Sequence, residues 1–127
     1  MKEIIYMLET FHLKKKKKKS LKALSKGMRQ KIELIQSFLG KPRLVLLDEP
    51  TAALDPPSVL ELRDFILRKK DEGISVLFSS HHLAEVEKLC DRAVFISAGK
   101  IFGDYRMEGL DPGFLEEEFR KNAVERE

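Results

Sequence analysis

Two short apolar runs, separated by one helix-length segment, restrict the fold of this chain more than any other feature of its sequence. They are residues 44–47, which are all apolar, and residues 74–78, which are apolar except for Ser75. Apolar runs of this length are typical of strands that are covered on both faces of a parallel sheet. Pro56 and Pro57 open the segment between the runs, and its apolar positions recur at helical spacing until Gly73. The order strand, helix, strand therefore predicts an α/β fold with parallel strands.

Four further helices and a hairpin of two strands follow from periodicity, capping residues and turn residues in the rest of the chain. They are a helix over residues 3–11, a helix that begins after Ser25 and stops at Gly40, a helix over residues 83–90, a hairpin of strands 93–96 and 100–102, and a helix over residues 113–124. We expect the last helix to dock through Phe114, Leu115 and Phe119. The expected architecture is a largely parallel sheet with flanking helices and a terminal β-hairpin.

The positive charge of the chain is concentrated in one place. The net charge is +3, and the lysines at 14–19 exceed it, so the rest of the chain is net acidic. A lysine block can bind nucleic acid or an anionic membrane through phosphate contacts. Because no aromatic residue interleaves these lysines to stack on bases, a solvated loop is the simpler interpretation. Lysine-driven nucleic-acid binding is the alternative, and no specific nucleic acid is expected.

Cysteine content and apolar run length exclude two further classes of protein. Cys90 is the only cysteine, which excludes an internal disulfide and a multi-cysteine zinc site and fits a reducing cytosol. The longest uninterrupted apolar run covers residues 4–8, far short of the roughly 18 residues that cross a bilayer. We therefore expect a cytoplasmic protein.

Polar residues follow both apolar runs. Asp48 and Glu49 come directly after the first run, and residues 79–82, Ser-Ser-His-His, come after the second. Open α/β sheets bind their ligands beyond the carboxyl ends of the strands. A carboxylate placed there can hold Mg²⁺ through oxygen ligands, and a second carboxylate can orient and deprotonate a water. The alternative is that the acidic pair only caps the next helix or hydrates a strand end.

Three motifs occur in one order along the chain and together carry a resemblance to a known family. LVLLDEPTAALD at residues 44–55 resembles the Walker B motif and D-loop of ABC-type ATPases, the nucleotide-binding subunits of ABC transporters. LSKGMRQ at residues 24–30 is similar to their signature motif in its exporter-type variant, and SSHHLAEVE at residues 79–87 resembles their H-loop. Three motifs in the correct order are highly specific. The resemblance weakens after about Tyr105.

The resemblance implies a role in phosphoryl transfer for the residues at the two strand ends. Asp48 would hold Mg²⁺ through water, Glu49 would polarise the attacking water, and His81 would contact the γ-phosphate of ATP. Such reactions depend mainly on positioning and charge stabilisation, which these groups provide. His82 is the adjacent alternative to His81 and is interpreted as a helix-start residue. A zinc site of His81, His82 and Cys90 is the other metal hypothesis, although it lacks a fourth ligand at suitable spacing.

The signature segment and the D-loop are implied to act at the interface of two protomers. Ser25 and the amides of Lys26, Gly27 and Met28 open a helix, whose unpaired N–H groups and dipole favour phosphate. In the family this helix end faces ATP held by the other protomer, and Asp55 would signal between the two nucleotide sites. Lys26 stands where the commonest pattern has glycine, and Met28 where it often has glutamine.

The resemblance also implies a domain organisation. It identifies residues 1–40 as the end of a helical subdomain with the signature motif, residues 41–106 as the carboxyl-terminal part of the ATPase core, and residues 107–127 as a terminal helical extension. The implied fold is the carboxyl-terminal part of a P-loop NTPase. A phosphate-binding loop of the pattern Gly-x-x-x-x-Gly-Lys-Ser/Thr is absent from the sequence, since no pair of its seven glycines has that spacing.

These expectations combine into one functional prediction with an alternative. The chain is expected to be a truncated ATP-binding subunit of an ABC transporter that binds ATP and Mg²⁺ only in a completed site and is inactive alone. Its expected partners are the missing amino-terminal ATPase half or an intact ABC ATPase protomer, and a membrane subunit at the inner face of the membrane. The alternative is a non-catalytic remnant or interaction module that docks on an intact ABC subunit.

Overall fold

The computed structural model describes residues 2–13 and 24–124. The helices and strands in those ranges are α1 (Lys2–Thr10), α2 (Lys26–Phe38), β1 (Leu44–Leu47), α3 (Pro56–Asp71), β2 (Ser75–Phe78), α4 (Leu83–Leu89), β3 (Arg92–Ser97), β4 (Lys100–Arg106) and α5 (Phe114–Val124). The order and type of these elements confirm the predicted α/β class. The chain divides into two compact units, residues 1–80 and residues 81–127. The predicted three-part division of the chain stays a prediction.

The first unit is built on the predicted parallel pair of strands. β1 and β2 pair in parallel, from Leu44 opposite Ser75 to Leu47 opposite Phe78. α3 connects them, with Pro56 in its first turn and a cluster of basic residues in its last turn. Since the strands are in register and of equal length, the residues that follow them emerge side by side at one edge of the sheet.

Three phenylalanines form the centre of the core in the first unit. Phe11 follows α1, Phe38 ends α2 and Phe65 lies in the middle of α3, and all three rings are fully buried. The Phe65 ring meets the Phe11 ring edge-on at 5.2 Å and the Phe38 ring at 5.0 Å between centroids. Edge-to-face packing of this kind adds to the free energy gained by burial. Phe65 therefore holds the three helices of this unit together.

The prediction that β1 and β2 are covered on both faces is wrong for the described part of the chain. Val45 is buried at 4% exposure, whereas Leu46 and its cross-strand neighbour Leu77 are each 66% exposed. Leu44, on the same face as Leu46, is also exposed. The physical reason is that successive side chains of a strand point to opposite faces, and only one face of this two-stranded sheet is packed within the described residues.

The second unit consists of the predicted hairpin and two helices. β3 and β4 pair antiparallel, and β4 runs on to Arg106, further than predicted. The expected docking of the terminal helix is confirmed, since Leu115 is fully buried in a core with Ala93 and Phe95. Phe119 is half-exposed, although its ring still meets the Phe95 ring at 5.7 Å.

A carboxylate from α4 caps the first turn of α5. Glu87 accepts hydrogen bonds from the backbone N–H groups of Gly113 and Leu115, at 2.9 and 2.8 Å. These N–H groups belong to the helix end that has no partners within its own helix, and the negative charge also suits the positive end of the helix dipole. Glu87 therefore fixes α5 to α4 within the second unit.

Each unit carries one of the two tyrosines of the chain, which has no tryptophan. Tyr6 is partly exposed, and the Arg68 guanidinium lies over its ring at 5.9 Å from the centroid. The Tyr105 hydroxyl donates to the Glu118 carboxylate at 3.1 Å. Burial raises the pKa of Tyr105, and the hydrogen bond to Glu118 raises it further. The two phenols therefore have different surroundings.

Two predictions concern the segment between α1 and α2. Residues 14–23, which include the lysines at 14–19, lie outside the described residues. The solvated-loop and nucleic-acid interpretations therefore stay predictions.

Within the described ranges, no helix combines the length and the apolar character that crossing a bilayer requires.

Replacement of Phe65 by alanine tests the aromatic centre of the first unit. We expect Phe65→Ala to lower the free energy of unfolding by about 3–5 kcal/mol, because it removes both ring contacts and leaves a cavity. Leu60→Ala is the matched control, since Leu60 lies on the same helix and is 53% exposed. That substitution should change the free energy by no more than about 0.5 kcal/mol. Urea unfolding measures both values, and equal losses would contradict the central role of Phe65.

Candidate functional site

The candidate site begins where β1 and β2 end. Ser79 follows β2 and its backbone N–H donates to the Leu47 carbonyl at 3.0 Å, which extends the parallel ladder by one bond. The Ser79 hydroxyl donates to Asp48 Oδ1 at 2.5 Å and accepts from the backbone N–H of Glu49 at 3.0 Å. One serine thus connects the side chain of Asp48 with the main chain of Glu49. Asp48 is exposed at the surface.

Glu49 has an unusual backbone conformation. Its φ angle is 44°, in the left-handed region that non-glycine residues rarely adopt. Its carbonyl accepts from Gln30 Nε2 at 3.2 Å, and the next carbonyl, that of Pro50, accepts from the same nitrogen at 2.7 Å. The Ala52 N–H also donates to the Glu49 carbonyl, at 3.1 Å. Side chains from α2 and from the end of β2 therefore hold this residue together with its own turn.

The start of α2 lies in the signature segment, residues 24–30, which resembles the signature motif of ABC-type ATPases. Ser25 is the N-cap and its hydroxyl oxygen accepts from the Met28 N–H at 3.2 Å, which is the usual way to satisfy a free donor at a helix start. Ser25 and Lys26 are exposed. The hydroxyl hydrogen of Ser25 can still donate, so the cap and a phosphate contact are compatible.

Gly27 lies against the turn that follows β1. A Cβ atom at this position would stand 2.8 Å from the Ala53 carbonyl oxygen, closer than side-chain carbons approach such an atom. Only glycine therefore allows the first turn of α2 to approach the D-loop segment this closely. Gln30 contacts the same segment from the same helix face, three residues further on.

Asp55 is the N-cap of α3, but its carboxylate makes no capping bond to the helix backbone. Instead, the buried Ser58 hydroxyl donates to Asp55 Oδ1. This hydrogen bond lowers the pKa of Asp55, and the positive charge of Lys31 on α2 lowers it further. The D-loop carboxylate is therefore held ionised by its neighbours, at the surface of the first unit.

A groove of about 510 Å³ connects several of these residues. Its walls are the exposed side of α2, the end of β1 and the turn that follows. Among the residues predicted for the site, Lys26, Asp48 and Glu49 line it, and Gln30 stands between them. The lining of the groove includes both charged and apolar side chains.

The predicted histidines belong to the second unit. His82 is the N-cap of α4, and its carbonyl accepts from the N–H groups of Glu85 and Val86, which confirms that it is a helix-start residue. His81 precedes it outside the helix, and the two exposed rings lie 4.2 Å apart between centroids. Over residues 2–13 and 24–124, no group of three or more His, Cys, Asp and Glu side chains has the geometry to hold a metal ion.

Three residues that join the site together had no role of their own predicted from the sequence, although two of them lie within the quoted motifs. They are Gln30, Ser58 and Ser79. Ser58 lies only three residues after Asp55, so its hydrogen bond is local in sequence, but it does not match the usual capping pattern. Ser79 follows from the in-register pairing of the strands, but Gln30 has no local signal. Its partners lie 19 and 20 residues away.

The oxygen groups at the ends of β1 and β2 fit a magnesium ion that is bound mainly through water and phosphate. Mg²⁺ is commonly held by one or two carboxylates together with waters and substrate phosphates, not by an all-protein cage. Asp48 supplies one exposed carboxylate, and the Ser79 hydroxyl beside it orients that carboxylate. This set of donors would therefore need the oxygens of a nucleotide to complete it.

Comparison with known proteins agrees with the motifs. The family model described as ABC transporter matches residues 1–52. YhaQ of Bacillus subtilis, an ABC transporter ATP-binding protein, is 41% identical over 100 residues. SrtF of Streptococcus pyogenes, a lantibiotic transport ATP-binding protein, is 40% identical over 107 residues. This chain belongs to the ABC transporter ATP-binding protein family.

The matched part of this ABC family chain is most of its own length but less than half of its relatives. The alignment covers 79% of the chain and 34% of YhaQ, and 84% of the chain and 46% of SrtF. Among solved structures, an ATP-binding subunit of an ABC transporter superposes with a TM-score of 0.83 at 27% identity, over 94% of this chain and 52% of that one. The ADP conformation of MJ1267, an ATP-binding cassette of an ABC transporter, superposes with a TM-score of 0.76 at 22% identity, over 99% of this chain and 50% of that one. The fold is therefore that of part of an ABC ATPase.

Replacement of Gly27 by alanine tests the close approach of the signature helix to the D-loop. Helix propensity alone would favour alanine by up to about 1 kcal/mol. We instead expect Gly27→Ala to lower the free energy of unfolding by about 1–3 kcal/mol, because the new methyl group overlaps the Ala53 carbonyl. Lys26→Ala, at the exposed neighbouring position, is the control and should show no such loss. Urea unfolding measures both, and a stabilised Gly27→Ala variant would contradict the contact.

Replacement of Ser58 tests the electrostatics of the D-loop. We expect Ser58→Ala to raise the pKa of Asp55, because the hydrogen bond that lowers it is lost. A lowered folded-state pKa means that ionised Asp55 stabilises the fold above its unfolded pKa, and that this stabilisation disappears as the pH falls through the folded value. Carboxyl ¹³C NMR titration measures the pKa directly.

The control for this titration is Ser37→Ala, which removes a serine hydroxyl that donates to the Leu34 carbonyl in α2. It should leave the pKa of Asp55 unchanged. In the Ser58→Ala variant, stability should depend less on pH in the acidic range than in the parent chain. An Asp55 titration that is identical in the two variants would show that the hydroxyl has no influence.

Proposed function

We propose that this chain contributes the signature motif, Walker B motif, D-loop and H-loop to an ATP site whose hydrolysis reaction powers transport. The observation that carries the proposal is the cluster at the ends of β1 and β2, where Ser79 links the Asp48 carboxylate to the backbone of Glu49. The signature helix lies against the same segment through Gln30. Family membership supports the assignment of these motifs to ATP chemistry.

The individual residues have distinct tasks in this proposal. Asp48 would hold a magnesium ion through water, and the Ser79 hydroxyl keeps the Asp48 carboxylate in place. Glu49 accepts a proton from the attacking water, and His81 donates a hydrogen bond to the terminal phosphate. When bound, Mg²⁺ supplies charge neutralisation on the phosphate oxygens. These groups lower the barrier by positioning and by charge stabilisation.

Ser25, Lys26, Gly27 and Met28 have their task in the partner's site. The first turn of α2 offers the backbone N–H groups and the positive end of a helix dipole to the phosphates of ATP held by a second protomer. Lys26 adds a positive side chain at the entrance of the groove. Asp55, which the Ser58 hydroxyl holds at the start of α3, would signal between the two nucleotide sites.

The sequence contains no phosphate-binding loop, so the proposal includes partners that supply one. They are a polypeptide that carries the amino-terminal part of an ABC ATPase, or an intact ABC ATPase protomer, together with a membrane subunit at the cytoplasmic face. Without them we expect the chain to bind MgATP weakly or not at all. The exposed leucines of the sheet, Leu44, Leu46 and Leu77, support a need for a protein partner.

Those leucines equally favour a second candidate function, a non-catalytic module that docks on an intact ABC subunit. In that case Glu49 would have no chemical task. The two candidates differ in whether binding to a partner depends on the Glu49 carboxylate and whether it produces turnover.

Turnover measured with and without a complementing polypeptide distinguishes the two candidates. We expect no MgATP hydrolysis by the chain alone, and hydrolysis when it is mixed with an ABC-family amino-terminal segment that carries the phosphate-binding loop. Glu49→Gln should reduce this activity by about 10²–10⁴-fold, because it removes the group that accepts the proton from water. Phosphate release measures the rate.

Glu108→Gln is the matched control, because Glu108 is an exposed glutamate of the second unit and lies outside the proposed site. It should leave the rate unchanged. If the mixture forms a complex without turnover, and Glu49→Gln binds equally well, the docking-module function holds and the ATPase function is wrong.

A further inference from the structure

Glu49 is held at both ends of its main chain by side chains from distant parts of the first unit. Its N–H donates to the Ser79 hydroxyl, 30 residues further along the chain. Its carbonyl accepts from Gln30 Nε2, 19 residues before it. Between these two hydrogen bonds, the Glu49 backbone has its left-handed φ of 44°. Rare backbone conformations persist only where the surrounding structure determines them, and they cluster at functional sites.

The side-chain nitrogen of Gln30 donates to two backbone carbonyls of this segment. A primary amide has two N–H groups, and Gln30 directs its nitrogen to two successive carbonyls, those of Glu49 and Pro50. The two bonds fix the orientation of the peptide unit that follows Glu49. A carboxylate of the same size would place an oxygen against both carbonyls and repel them. The contact is therefore specific to an amide of this length.

The same face of α2 carries the signature segment. Gly27 lies one helical turn before Gln30, and its missing side chain lets the helix approach the Ala53 carbonyl. The first turn of α2 is therefore attached to the segment 49–53 at two points. A displacement of this helix end would act directly on the backbone of Glu49.

We propose that Gln30 is a positioning residue that transmits the position of the signature helix to Glu49. While α2 is docked, Gln30 holds Glu49 in its left-handed conformation and so keeps the carboxylate at the groove. When the helix end moves, the two bonds break and Glu49 relaxes to an ordinary backbone conformation. The effect of Gln30 on catalysis rests on the proposed ATPase function. The effect of Gln30 on the backbone of Glu49 does not, because it involves only this chain.

Amide hydrogen exchange on the full 127-residue chain tests the effect on the Glu49 backbone without any nucleotide. In the parent chain the side-chain NH₂ of Gln30 should exchange about tenfold more slowly than that of Gln36, an exposed glutamine of the same helix. In Gln30→Glu, the Glu49 amide should exchange about tenfold faster and its ¹³Cα shift should move, while Val76 and Leu77 in β2 stay unchanged. Gln36→Glu makes the same change of charge and should alter neither.

Two results of the exchange experiment would overturn the proposal. One is an equal exchange rate for the side-chain NH₂ groups of Gln30 and Gln36 in the parent chain. This comparison requires no substitution, so it remains valid even if a variant fails to fold. The other is a folded Gln30→Glu chain in which the Glu49 amide keeps its exchange rate and chemical shift.

A kinetic measurement on the complemented ATPase tests the effect on catalysis separately. Gln30→Glu should lower kcat about tenfold or more and leave the KM for ATP within about twofold of the parent, because it displaces a catalytic group and not a binding group. A raised KM with unchanged kcat would overturn the positioning role. If the parent mixture shows no turnover at all, the proposed ATPase function is wrong, and hydrogen exchange alone decides whether Gln30 holds Glu49.

Discussion

Parallel pairing of two four-residue strands is the constraint on which the candidate site depends. Because β1 and β2 are in register and equally long, the chain leaves both strands at one edge of the sheet. Asp48 and Ser79 are separated by 31 residues in sequence and still form a hydrogen bond there. A shift of one residue in this register would move Ser79 away from Asp48 and Glu49 and turn every strand side chain to the opposite face.

Such a short pair of strands cannot hold this register alone. The helices packed on the sheet supply the rest of the free energy that stabilises this register. The phenylalanine rings of this unit meet at Phe65. α2 has a double task in this arrangement, since its last residue, Phe38, belongs to the core while its first turn meets the D-loop segment. The packing of the core and the geometry of the site therefore both depend on the position of α2.

The sequence predicted most of the elements and the family. Apolar periodicity, Pro56 and the Ser25 cap are local signals, and the helices and strands they predict are confirmed. The contacts that join the site were not predicted, because Gln30 and the carbonyl it binds at Glu49 are distant in sequence and the acceptor is a backbone atom. Burial on both faces of the sheet was predicted wrongly, since an apolar run indicates which residues favour burial but not which neighbours cover them.

The two tyrosines give each unit its own optical label. Tyr6 lies beneath Arg68 in the first unit, whereas the Tyr105 hydroxyl donates a hydrogen bond to the Glu118 carboxylate in the second. Since the chain has no tryptophan, these two phenols account for all of its intrinsic fluorescence above 300 nm. A phenol that donates to a carboxylate is quenched in its excited state, so the emission of the folded chain comes mainly from Tyr6. Unfolding of the second unit alone would then brighten the protein, and unfolding of the first would change only the Tyr6 component.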